Sequence, residues 1–109
     1  MSATSAAGPD TLDLRFRALG QARRRGILRL VGERELSAGE IAAAFDVTRT
    51  AISQHLTVLK QADLLSERRQ GTRRLYRARR DSLDQLHDAL DAIWSDALER
   101  GRLLAEASE

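Results

Sequence analysis

The sequence predicts a mainly α-helical domain that carries a small β-hairpin. Leu and Ala are plentiful while aromatic residues make up only 4% of the chain, which favours helix over sheet. Apolar residues recur at helical spacing from Leu12 to Ala62 and again from Leu83 to Leu104. Between these stretches "LLSERRQGTRRLYRARR" changes to an alternating period around Gly71. The expected element order is α-α-α-α-β-β-α.

Residues 1–9 are small and polar and read as a disordered tail. Residues 10–105 read as one domain, since 109 residues suffice for a single small core and chains of this size often gain stability by pairing with a copy. Asp10 or Thr11 caps a first helix in which Leu12, Phe16 and Leu19 share a face, and Gly20 breaks it. A second helix spans about 21–31, with Ile27, Leu28 and Val31 apolar, and Gly32 is expected to end it. "SAGE" is a capping box, Ser37 with Glu40, opening a third helix over about 38–45 that turns Ile41, Ala42 and Phe45 inward.

Asp46-Val47 leaves room only for a sharp corner. The fourth helix starts after Thr48. At about 100° per residue, Ala51, Ile52, Leu56, Val58, Leu59 and Ala62 share one side. Arg49, Thr50, Ser53, Gln54, Thr57, Lys60 and Gln61 share the other, and His55 lies amid the apolar side. Two strands, about 65–69 and 73–79, flank "QGT" as a hairpin, with Leu75 and Arg77 alternating with Arg74, Tyr76 and Ala78. A last helix over about 82–104 carries Leu83, Leu86, Leu90, Ile93, Ala97 and Leu104 at seam spacing, with Trp94 and Leu98 alongside.

Composition narrows function. Cysteine is absent, which removes disulfides, thiolate ligands and thiol chemistry. No apolar run reaches the roughly 20 residues that span a bilayer, and "MSATSAAGPD" lacks the basic and apolar regions of a signal peptide, so a cytoplasmic location is expected. With no Cys nucleophile, no paired-His metal site and no phosphate-cradling glycine loop, no enzyme is expected and no cofactor is implied. The net charge of +2 is unevenly spread. Leu65 to Arg80 holds seven Arg against Glu67, whereas Asp81 to Glu109 holds two Arg against eight acids. One surface thus suits an anionic partner and another does not.

From Val47 to Ala62 there is no acid at all, although the chain has 16. Acids would repel phosphate, so the gap points to double-stranded DNA. Two helices joined by a tight corner and followed by a basic hairpin describe a winged helix-turn-helix. The fourth helix then enters a major groove. Arg49 can fork onto guanine and Gln54 onto adenine. Thr48, Thr50, Ser53 and Thr57 offer short hydroxyls to phosphates or base edges, Lys60 suits a phosphate, and Arg73 and Arg74 at the hairpin tip suit backbone or minor groove.

The segments "FRALGQARRRGILRLV" and "LSAGEIAAAFDVTRTAISQHLTVLKQADLLSERRQGTRRLYR" resemble the ArsR/SmtB family of bacterial winged-helix repressors, with Ser53, His55, Leu56 and Leu59 matching its S-x-H-L-x-x-L core. The resemblance implies a homodimer joined through its first and last helices, here Leu12, Phe16, Leu19, Leu83, Leu86, Leu90, Ile93, Trp94 and Ala97, repressing at an inverted-repeat operator. Family metal sensors carry "E-L-C-x-C". This chain has "ELSAG", so Ser37 and Gly39 stand where thiolates would be and soft-metal sensing there is excluded. The sequence resembles the non-metal branch, and an inducer, small molecule or protein, is left open.

Other readings stand beside these. Asp84, His87, Asp88 and Asp91 could make a two-subunit zinc site, but one His per helix is thin and a solvated acidic face is the expectation. His55 is expected to be packed and hydrogen-bonded rather than base-reading. Arg23, Arg24 and Arg25 open the second helix against its dipole, which either a phosphate or the acids of the last helix would explain. Arg77 can pair with an acid. Trp94 is assigned to dimer or core packing rather than to ligand stacking. A winged helix can also serve as a protein-interaction module without DNA.

Overall fold

The computed structural model describes residues 9–107. Helix α1 (Pro9–Ala18) begins on a proline, which lacks the N–H that a first turn leaves unpaired, so Pro9 belongs to the helix and not to the expected tail. The rest of that tail lies outside the described residues. Helix α2 (Ala22–Glu33) buries Ile27, Leu28 and Val31. It runs through Gly32, which was expected to stop it; no heavy atom lies within 4 Å of a Cβ built at Gly32, and its backbone stays helical. Gly26 does have a packing role, since a Cβ there would sit 3.2 Å from the Phe45 ring.

One element was not foreseen. Strand β1 (Leu36–Ser37) precedes α3 (Ala38–Ala44), too short to leave a period in the sequence. The order is therefore α-α-β-α-α-β-β-α. Ser37 and Glu40 form the expected capping box, with Glu40 N–H donating to Ser37 Oγ at 3.2 Å and Ser37 N–H to Glu40 Oε1 at 2.8 Å. Helix α4 (Arg49–Gln61) follows after a corner in which Asp46 adopts φ 55°. Val47 N–H reaches back to Ala42 O and Asp46 N–H to Ala43 O, a Schellman ending with Asp where glycine is commoner. The same ending closes α4: Asp63 has φ 63°, Leu64 N–H donates to Leu59 O and Asp63 N–H to Lys60 O.

Strands β2 (Leu65–Gln70) and β3 (Arg73–Ala78) form the hairpin. Gly71 alone of its two tip residues has positive φ, the pattern of a II′ turn. Strand β3 is central, in the antiparallel order β1-β3-β2, with Leu36 opposite Tyr76 and Glu67 opposite Tyr76 on its other edge. This placement buries both Leu75 and Tyr76, so the expected alternation along β3 is lost. Helix α5 (Arg80–Ala107) extends 28 residues, longer at both ends than its apolar pattern suggested. Ile27, Val31, Ile41, Ile52, Leu56, Leu59, Leu64 and Tyr76 make the core. Ala51, expected inward, is exposed.

Candidate nucleic-acid interface

The exposed face of α4 is set by its cap. Thr48 Oγ1 accepts from Ala51 N–H at 3.1 Å, which starts the helix and commits that oxygen to the backbone. Ile52, Leu56 and Leu59 anchor the opposite face in the core. Arg49, Thr50, Ser53 and Gln54 then project outward, and among the described residues their side chains have no hydrogen-bond or ion-pair partner. The aliphatic stem of Arg49 runs beside the first turn of α3, its Cδ 3.8 Å from where a Cβ at Gly39 would be.

The remaining expected contacts are engaged within the chain. Thr57 Oγ1 donates to Ser53 O at 3.1 Å. Lys60 pairs with Glu67, and Arg74 Nε lies 3.3 Å from the other oxygen of the same carboxylate. Arg73 Nη2 donates to Glu40 Oε1 at 2.8 Å. All three cations remain about half exposed, so these pairs are weak and open to competition by a phosphate. The Lys60 hydrogen bond, with Arg74 nearby, holds the Glu67 carboxyl below its usual range. The Ser37 backbone and hydroxyl, then Arg73, do the same for Glu40.

Between α4 and the hairpin lies a cleft of about 760 Å³. Arg49, Thr50, Ser53, Thr57 and Lys60 form one wall and Thr72, Arg73, Arg74 and Tyr76 the other. Thr72 and Tyr76 were not singled out in the sequence; their place in the hairpin register was the only available signal. Further along the hairpin, Arg68 forks onto Glu35 with distances of 2.9 and 2.7 Å and does not line the cleft. Among the described residues Arg77 forms no ion pair, though it helps lower the Glu35 carboxyl after the larger effect of the Arg68 hydrogen bond.

His55 is half-buried and accepts at Nδ1 from Arg24 Nε at 3.2 Å. Burial, then Arg24 and Arg23, pushes its pKa down, so the ring is packed and neutral. Among the described residues no ion pair joins the arginines that open α2 to the acids of the last helix. Arg24 and Arg25 donate to Arg17 O and Leu19 O at the end of α1, and Arg23 lies 4.9 Å over the Phe45 ring.

Expected dimer residues divide in two. Leu12, Phe16, Leu19 and Leu83 pack half-buried against the protomer's own core, and Leu86 lies within it at 3% exposure. Leu86 is therefore occupied inside one chain. Leu90, Ile93, Trp94 and Ala97 are exposed, with Leu98 and Leu103 continuing the stripe. His87 Nδ1 lies 3.8 Å from Asp91 on the solvent side, and among the described residues no group of three or more His, Asp and Glu converges within the chain. No helix among them is long and apolar enough to cross a membrane. Sequence reading missed Arg15, 1% exposed, although it stands between Leu12 and Phe16 near the apolar face of α1.

Comparison with known proteins gives one consistent answer. Residues 19–68 match the family model described as "Helix-turn-helix domain". The chain is 41% identical over 86 residues to the HTH-type transcriptional regulator Rv2034 of Mycobacterium tuberculosis, covering 79% of this chain and 80% of that one. It is 41% identical over 56 residues to the transcriptional repressor SdpR of Bacillus subtilis, covering 51% of this chain and 62% of the repressor. The solution structure of a homodimeric winged helix-turn-helix DNA-binding domain from Mycobacterium bovis, a possible ArsR-family regulator, aligns with TM-score 0.67 and 31% identity over 92% of this chain and 95% of that one. A helix-turn-helix corner, a basic three-stranded wing and these relatives together mean that the chain belongs to the ArsR family of winged helix-turn-helix transcriptional regulators.

Proposed function

We propose that this protein is a sequence-specific DNA-binding repressor that works as a homodimer on an inverted-repeat operator. The observation that carries the reading is the set Arg49, Thr50, Ser53 and Gln54, exposed and without partners among the described residues, of which Arg49, Thr50 and Ser53 face a cationic wing across an open cleft. Arg49 and Gln54 read base edges in the major groove, with Thr50 and Ser53 beside them. Thr57 adds its hydroxyl at the groove edge, and Thr48 helps through the capped helix start. Lys60, Arg73 and Arg74 exchange Glu67 and Glu40 for phosphates. Two copies join through α1 and the exposed stripe of α5, which brings two α4 helices to successive major grooves. Residues 10–105 act as one DNA-binding and dimerisation domain, in the cytoplasm, with no catalytic role and no membrane association, and relief by an inducer is compatible with the dimer.

Selection of bound fragments from random DNA, with and without zinc, tests this directly. The expected product is a palindromic site whose affinity falls steeply with salt, with a slope near −0.9 per phosphate neutralised. A flat salt response with no selected sequence would instead favour a protein-interaction module. Zinc-dependent selection would bring His87, Asp84, Asp88 and Asp91 of paired chains into play.

A further inference from the structure

Arg15 is a buried cation that the DNA-facing surface does not use. Its Nε donates to Ala62 O at 3.1 Å, the carbonyl at the C-cap of α4. Its Nη1 donates to Gln85 Oε1 at 2.7 Å and its Nη2 to Ser82 Oγ at 3.3 Å, both on α5. The same Nη2 lies 3.5 Å from Asp63 Oδ2. Asp63 follows α4 directly, held at positive φ, and its second oxygen accepts from Arg79 Nη1 at 2.6 Å. Arg79 also binds Asp81 in the first turn of α5, and its N–H donates to Leu64 O at 2.9 Å. One guanidinium from α1 and another from the residue just before α5 thus hold the end of the DNA-facing helix.

A buried charge of this kind adds little stability over an apolar side chain of equal volume. What it supplies is geometry, because a planar fork satisfies several acceptors only in one arrangement. We infer that Arg15 is a positioning residue: it fixes α4 relative to α1 and α5, and so sets which half-site spacing the dimer accepts. The inference rests on the dimeric DNA-binding reading above. Adding one base pair moves a half-site by about 3.4 Å and turns it by roughly 34°. A rigid junction cannot absorb that change, whereas a loosened one can.

The test uses Arg15→Met, which keeps bulk and loses the fork, and Arg15→Lys, which keeps the charge but not the planar geometry. Binding is measured on operators whose half-sites are moved together or apart by single base pairs. Wild type should lose about tenfold or more in affinity per step from its optimum, and both variants less than about threefold. Equal weakening at every spacing would make Arg15 a merely structural residue and overturn the inference, as would an unchanged profile. If Arg15→Met does not fold, Asp63→Asn, which still tolerates positive φ, takes its place with the same expected broadening.

A second readout needs no DNA. The chain has no cysteine, so Ala51→Cys with Asp91→Cys carries two spin labels, on α4 and α5, at defined positions. Adding Arg15→Met should widen the distance distribution between them, and an unchanged width would overturn the inference. Failure of wild type to select any operator would sink the DNA-binding reading instead, while the label distances would still decide whether Arg15 fixes α4.

Discussion

Arg73 at the wing tip and Ser37 at the start of α3 donate to the same oxygen of Glu40, each at 2.8 Å. One carboxylate therefore closes the capping box and holds the wing. Glu40→Gln keeps a side chain able to cap but removes the charge that detains Arg73. DNA affinity should rise at low salt, and the salt slope should steepen by no more than about one phosphate, with base preference unchanged. An unchanged slope in salt titration would mean that Arg73 never reaches the backbone.

Arg49→Ala and Gln54→Ala should each cost about 1–3 kcal/mol of operator binding and relax preference at one position. Binding to a panel of single-base operator variants distinguishes this from uniform loss on every sequence. Uniform loss would assign both residues to phosphate.

Leu90 and Leu86 are neighbours on one helical seam with opposite fates, 53% and 3% exposed. Leu90→Asp or Ile93→Asp should yield a folded monomer, because the new charge would be buried only on pairing. Leu86→Asp should unfold the chain itself. Sedimentation and circular dichroism on the variants separate the outcomes, and a dimeric Leu90→Asp protein would relocate the interface.

His55 gives stability a pH dependence with a definite sign. Its folded pKa lies below the ordinary 6.5, chiefly through burial. Its contribution is complete above 6.5 and is lost as pH falls from there through the depressed folded value, because the unfolded chain takes up the proton first. Denaturant unfolding of wild type and His55→Gln across that window should show a loss in wild type that the variant lacks.

Gly32 lies within α2 with open space where a Cβ would go. Gly32→Ala should stabilise the protein by about 0.5–1 kcal/mol, because alanine loses less backbone freedom in a helix. Thermal unfolding measures it, and a lowered midpoint would mean that the position needs glycine for a contact outside the chain.

Much of the interface was legible because it depends on local rules. The capping box at Ser37, the α4 wheel and the Gly71 turn follow from spacing within a few residues, and all three stand in the structure apart from Ala51, which the wheel placed inward and which is exposed. His55 was legible as a packed residue for the same reason. Strand β1 was not, since two residues show no period and acquire strand geometry only by pairing with Tyr76 and Leu75. Gly32 misled because a glycine is also tolerated inside a helix whose neighbours Leu28 and Val31 are buried.

By itself the sequence determined which faces are apolar, which helix lacks acids and where the cations gather, because these are properties of residue order and period. Tertiary structure alone decided which polar side chains stay unpartnered. Among the described residues Lys60, Arg73 and Arg74 are engaged and Arg49 and Gln54 are not, because the hairpin sets Glu67 beside Lys60 and Arg74 and the fold brings Glu40 to Arg73 from 33 residues away. It also turned Arg15 from one more basic residue into the junction of three helices, because its acceptors lie 47 to 70 residues away along the chain. An ion pair or hydrogen bond across that separation leaves no period to read, since only the folded backbone brings its two ends together.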